Sequence, residues 1–328
     1  MTRITRWTSA LLLAGWLATP AAAQQTTLTL AHVAPPQTTF QDAAVRFRDR
    51  LAELSGGTIG VDIVPGAALG NLPELWAQVQ SGALDMHLAD MGAVIIMREA
   101  RPFLVLFAPY LFTDQDHFRR FVASDVFDGM MDEVETAAGV VWLGYLGDRP
   151  PRVVTTRDRE IAQPSDLQGL RIRTPQHPFI IATFEGWGAV PAPIEASELA
   201  IALRTGVVDG QDNGILDFIG AGYADSNKVF APIDYIHSGI GLWMSPERWA
   251  TFNEEQQGWL RHAAEEAGVA GVDLHAAQME AAFAKLAELG VTVSEPDIAA
   301  FRASVQGWVE ATDGQAWPEG LYATIGGL

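Results

Sequence analysis

From Thr27 to Val33 the chain alternates polar and apolar residues, with Leu28 and Leu30 on one face. That period predicts a half-buried strand, closed by Pro35-Pro36. Phe40, Ala43, Ala44, Phe47, Leu51 and Leu54 then recur at helical spacing, with Asp42, Arg46, Asp49, Arg50 and Glu53 on the other face. Gly56-Gly57 should stop this helix. A second strand is expected over 58–64, a helix over 72–81 and a third strand over 83–89. The pattern returns later: strands over 140–145, 170–173 and 207–209, and helices over 179–186 and 197–205. Strands and helices in alternation predict an α/β fold with mainly parallel pairing. Pro150-Pro151 falls between the two series and is the expected crossing between domains.

The last third reads differently. Asn253 with Gln256 three residues on has the pattern of a capping box. From there to Leu289 the chain is rich in Ala and Glu, so one long helix is expected, with Gly258, Gly268 and Gly271 as its weak points. A further helix is expected over 297–311.

The 328 residues allow two domains of ordinary size, and 48% hydrophobic with 19% charged residues describes a globular chain. The start is separate. Arg3 and Arg6 precede a short apolar run around Leu11-Leu12-Leu13, and Ala21-Ala22-Ala23 supplies small residues for cleavage. Residues 1–23 therefore read as a signal peptide, with Gln24 as the expected mature start. Losing Arg3 and Arg6 would take the formal charge from −19 to −21. So acidic a chain is a poor partner for nucleic acid or an anionic membrane. It can still hold an anion on one or two buried arginines. With no cysteine, thiol catalysis, disulfides and Cys-based metal sites are excluded.

No motif for catalysis stands out. The seven histidines do not form a zincin pair, and no Walker loop, Gly-x-Ser-x-Gly elbow or dinucleotide fingerprint is present. No cofactor and no metal are expected. What stands out is polar chemistry near the carboxyl ends of predicted strands, where open α/β sheets bind ligands. Arg173 closes one strand, Asn213 follows another, Asp90 follows a third, and His32 lies near the end of the first. An arginine fork with an amide donor suits a carboxylate.

Around these residues the chain resembles a known family. Pro164-Ser165-Asp166-Leu167-Gln168-Gly169-Leu170-Arg171-Ile172-Arg173-Thr174-Pro175 is similar to the P-A-D-L-K-G-L-K-I-R-V-P stretch of the DctP-like solute-binding proteins of tripartite ATP-independent periplasmic (TRAP) transporters. Glu198-Leu199 and the run from Ala202 to Asn213 resemble its E-L-Y-x-A-L-Q-T-G-V-V-D-G-Q-E-N. Leu69-Gly70-Asn71 to Glu74, Ser81 to Met86, and Phe107 to Phe112 resemble further stretches in the same order.

The resemblance implies a two-domain α/β periplasmic binding protein fold, with a central ligand cleft and a long domain-spanning helix. The expected boundaries are 24–148 plus 238–278 for the first domain and 149–237 plus 279–328 for the second. It implies a monomer in the periplasm of a Gram-negative bacterium, handing a small organic acid to a TRAP permease. On this alignment Arg173 pairs with the ligand carboxylate, Arg152 is the second arginine, and Asn213 is an amide donor. Arg149 and Arg157 are rivals to Arg152. Asn71, Glu74 and Asp90 fall near the opposite wall, and His32 at the first-strand contact. Several acidic and amide groups favour a sugar acid such as a uronate, with a C4-dicarboxylate or another hydroxy or keto acid as the alternative. A sensor that docks on a receptor would read the same way in sequence.

Overall fold

The computed structural model describes residues 26–328, so the expected signal peptide lies outside the described residues. Strands β1 (Thr26–Ala31), β2 (Ile59–Val64) and β3 (Met86–Asp90) alternate with helices α1 (Thr39–Leu54) and α2 (Leu72–Gln80). Two stretches of 3-10 helix, Met91–Ile96 and Arg98–Phe107, lead to α3 (Gln115–Val122) and α4 (Asp125–Ala138). A long strand β4 (Val141–Thr156) follows, then β5 (Arg171–Thr174), α5 (Pro178–Gly186), β6 (Val190–Pro193), α6 (Ala196–Thr205), β7 (Gly210–Asn213) and α7 (Ile215–Gly220). The chain ends through β8 (Val229–Met244), α8 (Pro246–Trp249), α9 (Glu254–Glu288), β9 (Thr292–Val293), α10 (Ile298–Thr312) and α11 (Leu321–Gly326).

One sheet runs through the molecule in the order β2-β1-β3-β8-β4-β7-β5-β6, with β9 added to β8. Its flanks are parallel, as the alternation predicts: β1 pairs with β2 and β3, and β5 with β6 and β7. The centre departs from that expectation. β4 and β8 are 16 residues each and antiparallel, from Val141 opposite Met244 to Thr156 opposite Val229. At ~3.3 Å per residue each spans about 50 Å, enough to belong to both halves. β8 is apolar on both faces and buried along most of its length, so it lacks the alternation that marks a half-buried strand.

β4 continues straight through Pro150-Pro151, and its register against β8 shifts between Arg149 and Arg152. Prolines cannot donate to a ladder and are tolerated at such bulges. The bulge has a consequence for the site. Residues three apart on a regular strand face opposite sides. Here Arg149 and Arg152 line the same cavity.

The core of the described residues divides into four clusters. Leu28, Phe47, Leu242 and Leu260 sit in one, and Trp76, Phe103, Phe118 and Trp243 in a second, around β1–β3. Ile172, Phe184, Tyr235 and Phe301 form a third, and Val153, Leu199, Phe218 and Leu286 a fourth, around β5–β7. Val309, Trp317 and Ile325, near the end of the chain, pack into the cluster of Trp76 and Phe103.

Helix α9 braces both halves. It starts at Asn253 in the expected capping box with Gln256. Its first turns bury Leu260 and Ala264 with one cluster, and its last turns bury Ala282 and Leu286 with another. Gly268 and Gly271 are close-packing positions rather than weak points. A Cβ on Gly268 would overlap the Tyr145 carbonyl oxygen, and one on Gly271 would lie 2.7 Å from that of Leu146. Gly258 has open space around it. Gly258→Ala is therefore expected to stabilise by about 0.5–1 kcal/mol through helix propensity. Gly268→Ala is expected to cost about 1–3 kcal/mol, because backbone must move to admit the methyl. Denaturant unfolding of the two variants checks the opposite signs.

Candidate functional site

The loops and strand ends of both halves enclose a cavity of about 220 Å³. That is below the ~300–1,000 Å³ typical of drug-sized ligands, so the occupant must be small. Of the candidate ligand residues, Arg173, Arg152, Asn213 and Asp90 line it. Arg149, named only as a rival to Arg152, lines it too.

Each arginine is held differently. Arg149 comes off the β4 bulge and reaches across the cavity. Its Nη1 donates to Asp90 Oδ2 at 2.8 Å, and its Nη2 to Asn213 Oδ1 at 2.5 Å and Asp217 Oδ2 at 3.0 Å. It also stands over the Phe40 ring at 5.2 Å. Arg152 is turned onto Asp212, with Nε 2.6 Å from Oδ2, and Tyr235 donates to the same oxygen at 2.5 Å.

Arg173 has no such partner. Its Nε donates to the Ile194 carbonyl at 2.7 Å. Among the described residues no carboxylate lies within ion-pair distance of it, yet it is only 4% exposed. Burial pushes its guanidinium below the ordinary arginine value, and Asp212 and Tyr223 oppose this only in part. An isolated charge in such a place is costly unless something pairs with it. β5 fixes the geometry: Ile172 and Thr174 are buried beside Arg173, and the strand is paired on both sides by β6 and β7.

Asn213 is on β7 rather than after it, opposite Val153 of β4. Its Oδ1 accepts from Arg149 and from the Gly214 amide. That orientation leaves its amide nitrogen without a protein acceptor among the described residues, free to donate.

The other expected contacts lie elsewhere. Asn71 and Glu74 close a capping box at the start of α2, each side chain bonded to the other's backbone amide. Their neighbours Leu72 and Pro73 line the cavity instead. His32 is buried behind the lining with its Nε2 3.0 Å from Gln41 Oε1, and Val33 takes its place at the wall. Sequence reasoning missed Asp217, Tyr223, His177 and Phe107, all of which line the cavity. Asp217 carries a usable signal, four residues after Asn213 in the first turn of α7.

His177 packs against Phe107 with ring centroids 3.7 Å apart, and neither ring nitrogen has a protein partner among the described residues. Burial, reinforced by Arg152, lowers its pKa to about 3. Burial likewise lowers His87 and His237 to about 4. An unfolded imidazole takes its proton near pH 6.5. Their stabilising contribution is therefore complete above pH 6.5 and is lost as pH falls toward those lower values. Buried Asp234, raised to about 6, opposes them by gaining a proton first in the folded state. For these four groups the balance is about two protons, or roughly 3 kcal/mol per pH unit between pH 6 and 4.5. His32 and His275, also lowered by burial, and Asp42 and Glu135, raised by it, add to either side. Urea unfolding at stepped pH should show the pH slope of stability in this range reduced by about one proton in His177→Gln.

Two halves joined by long central strands, closing on a cavity with an unmatched cation, define a cleft-type ligand-binding protein. The chain belongs to the bacterial extracellular solute-binding protein family 7 (DctP), whose family profile matches residues 30–313. It is a DctP-like protein of the TRAP periplasmic type. A solute-binding protein of Roseobacter denitrificans is 28% identical over 285 residues, covering 87% of this chain and 86% of that one. Its crystal structure, with bound L-galactonate, superposes with a TM-score of 0.81, covering 88% of this chain and 95% of that one. The sialic acid-binding periplasmic protein of Vibrio cholerae is 28% identical over 289 residues, 86% of each chain. A TRAP periplasmic solute-binding protein from Bordetella bronchispeptica, with density assigned to pantoate, is 25% identical with a TM-score of 0.85, covering 92% of this chain and 98% of that one.

Proposed function

We propose that this protein captures a small organic acid by cleft closure and delivers it to a TRAP-type permease. In this reading residues 1–23 export it to the periplasm, where it works as a monomer and binds without turnover. The lobes are 24–148 plus 238–278 and 149–237 plus 279–328, with the last helices leaning back on the first lobe.

The observation that carries the reading is Arg173, a buried guanidinium with two terminal nitrogens and, among the described residues, no carboxylate to meet them. A ligand carboxylate supplies the missing partner, and the Asn213 amide and the Tyr223 hydroxyl add donors beside it. Arg149 serves differently. It bonds Asp90 on the first lobe and Asp217 on the second, so it latches the closed form. Because lining residues come from both lobes, only closure completes the ligand's contacts, and binding shifts the population toward it.

A thermal-shift screen of the protein against sugar acids, C4-dicarboxylates, and hydroxy and keto acids tests this. A ligand at a hundred times its Kd adds ~2.7 kcal/mol of stability. Stabilisation confined to carboxylates supports the reading. Stabilisation by neutral sugars or amines alone would sink it.

A further inference from the structure

We infer that the acid has an aliphatic body: a monocarboxylate with one or two polar groups next to its carboxylate, rather than a polyhydroxylated sugar acid or a dicarboxylate. This rests on the reading of the cavity as an acid-binding site.

The cavity is divided in polarity. The second lobe supplies the free polar groups: Arg173, the Asn213 amide, the Tyr223 hydroxyl and the His177 ring, with Gln176 and Glu195 beside them bonded to each other. The first lobe supplies Val33, Leu72, Ala89, Ala93, Ile95 and Ile96. Two polar side chains on that wall, Thr38 and Asp90, are already engaged. Thr38 Oγ1 donates to the Pro35 carbonyl at 2.7 Å. Asp90 Oδ1 accepts from the Gly92 amide at 2.9 Å, and its Oδ2 from Arg149 at 2.8 Å and Ser238 at 2.9 Å. Hydroxyls along a sugar chain would be desolvated against this wall without partners, which is what makes such sites reject them. An aliphatic chain would instead be drawn into it by the hydrophobic effect.

Charge excludes the dicarboxylate. Of the three arginines, Arg149 and Arg152 are committed to Asp90, Asp217 and Asp212. A second ligand carboxylate would face apolar side chains or those aspartates. One free cation takes one carboxylate.

Isothermal titration with 4-methyl-2-oxopentanoate, pantoate, galactonate, galacturonate and succinate tests the inference. The branched acids are expected to bind at least tenfold more tightly than the sugar acids and succinate, and Leu72→Asn to weaken them about tenfold. Galactonate, galacturonate or succinate binding as tightly as the branched acids or tighter, and lost in Arg173→Met, would overturn the aliphatic body and leave the acid site standing. Binding by none of the five, or binding that survives Arg173→Met, would bring down the acid site and this inference together.

Discussion

Arg173→Met is expected to abolish acid binding while leaving the empty protein at least as stable as the parent. The two halves of that result have one cause. Arg173 is buried, and among the described residues only the Ile194 carbonyl bonds it. In the empty protein its charge is a cost with little to offset it. Methionine fills similar volume with no charge, so the unliganded fold loses nothing it relied on. With ligand the balance reverses. Removing one partner of a buried, hydrogen-bonded charge pair costs ~2–5 kcal/mol. That weakens binding by roughly thirtyfold to several thousandfold. Arg173→Lys should recover little, since an ammonium cannot present the planar fork. Calorimetric titration and thermal unfolding of the empty variant read the two effects separately. A variant that unfolds several degrees early without ligand would mark Arg173 as a structural residue.

Much of this was open to sequence reasoning, and the failures share a physical origin. The strand that carries Arg173 and the capped helix from Asn253 are local features, set by periodicity and by neighbours within a few residues. The sharing of one cavity by Arg149 and Arg152 is not local. It depends on a bulge at Pro150-Pro151 whose existence depends on pairing with β8, some 85–90 residues away in sequence. β8 itself hid because burial on both faces removes alternation. Gly268 and Gly271 look like helix breakers until β4 is placed against them. Asn71 and Glu74 carry the opposite lesson. Asn-x-x-Glu before an apolar run is a capping-box pattern, and the structure uses both residues in that way.

Arg149→Met, by contrast with Arg173→Met, is expected to destabilise the empty protein by about 3–5 kcal/mol. Both arginines are buried in the same cavity, and burial alone would predict the same outcome for both. Their partners decide otherwise. Arg149 lies between Asp90 and Asp217, whose side chains are 12% and 5% exposed, and it also bonds Asn213. Taking the cation away leaves two carboxylates buried near each other without it, and an uncompensated buried charge carries a penalty of that size. The loss should therefore come from the orphaned aspartates rather than from the missing hydrogen bonds. Adding Asp90→Asn and Asp217→Asn to Arg149→Met removes those charges, and the triple variant should regain most of the lost stability. Asp90 and Asp217 belong to different lobes in the proposed division, so the single variant should also favour the open form, which small-angle scattering can follow. If the triple variant is no more stable than Arg149→Met, the hydrogen bonds and the packing over Phe40 hold the latch, and the ion pairs contribute little. If Arg149→Met is itself as stable as the parent, the cavity already lets water reach the aspartates, and the two arginines cannot be told apart by their partners.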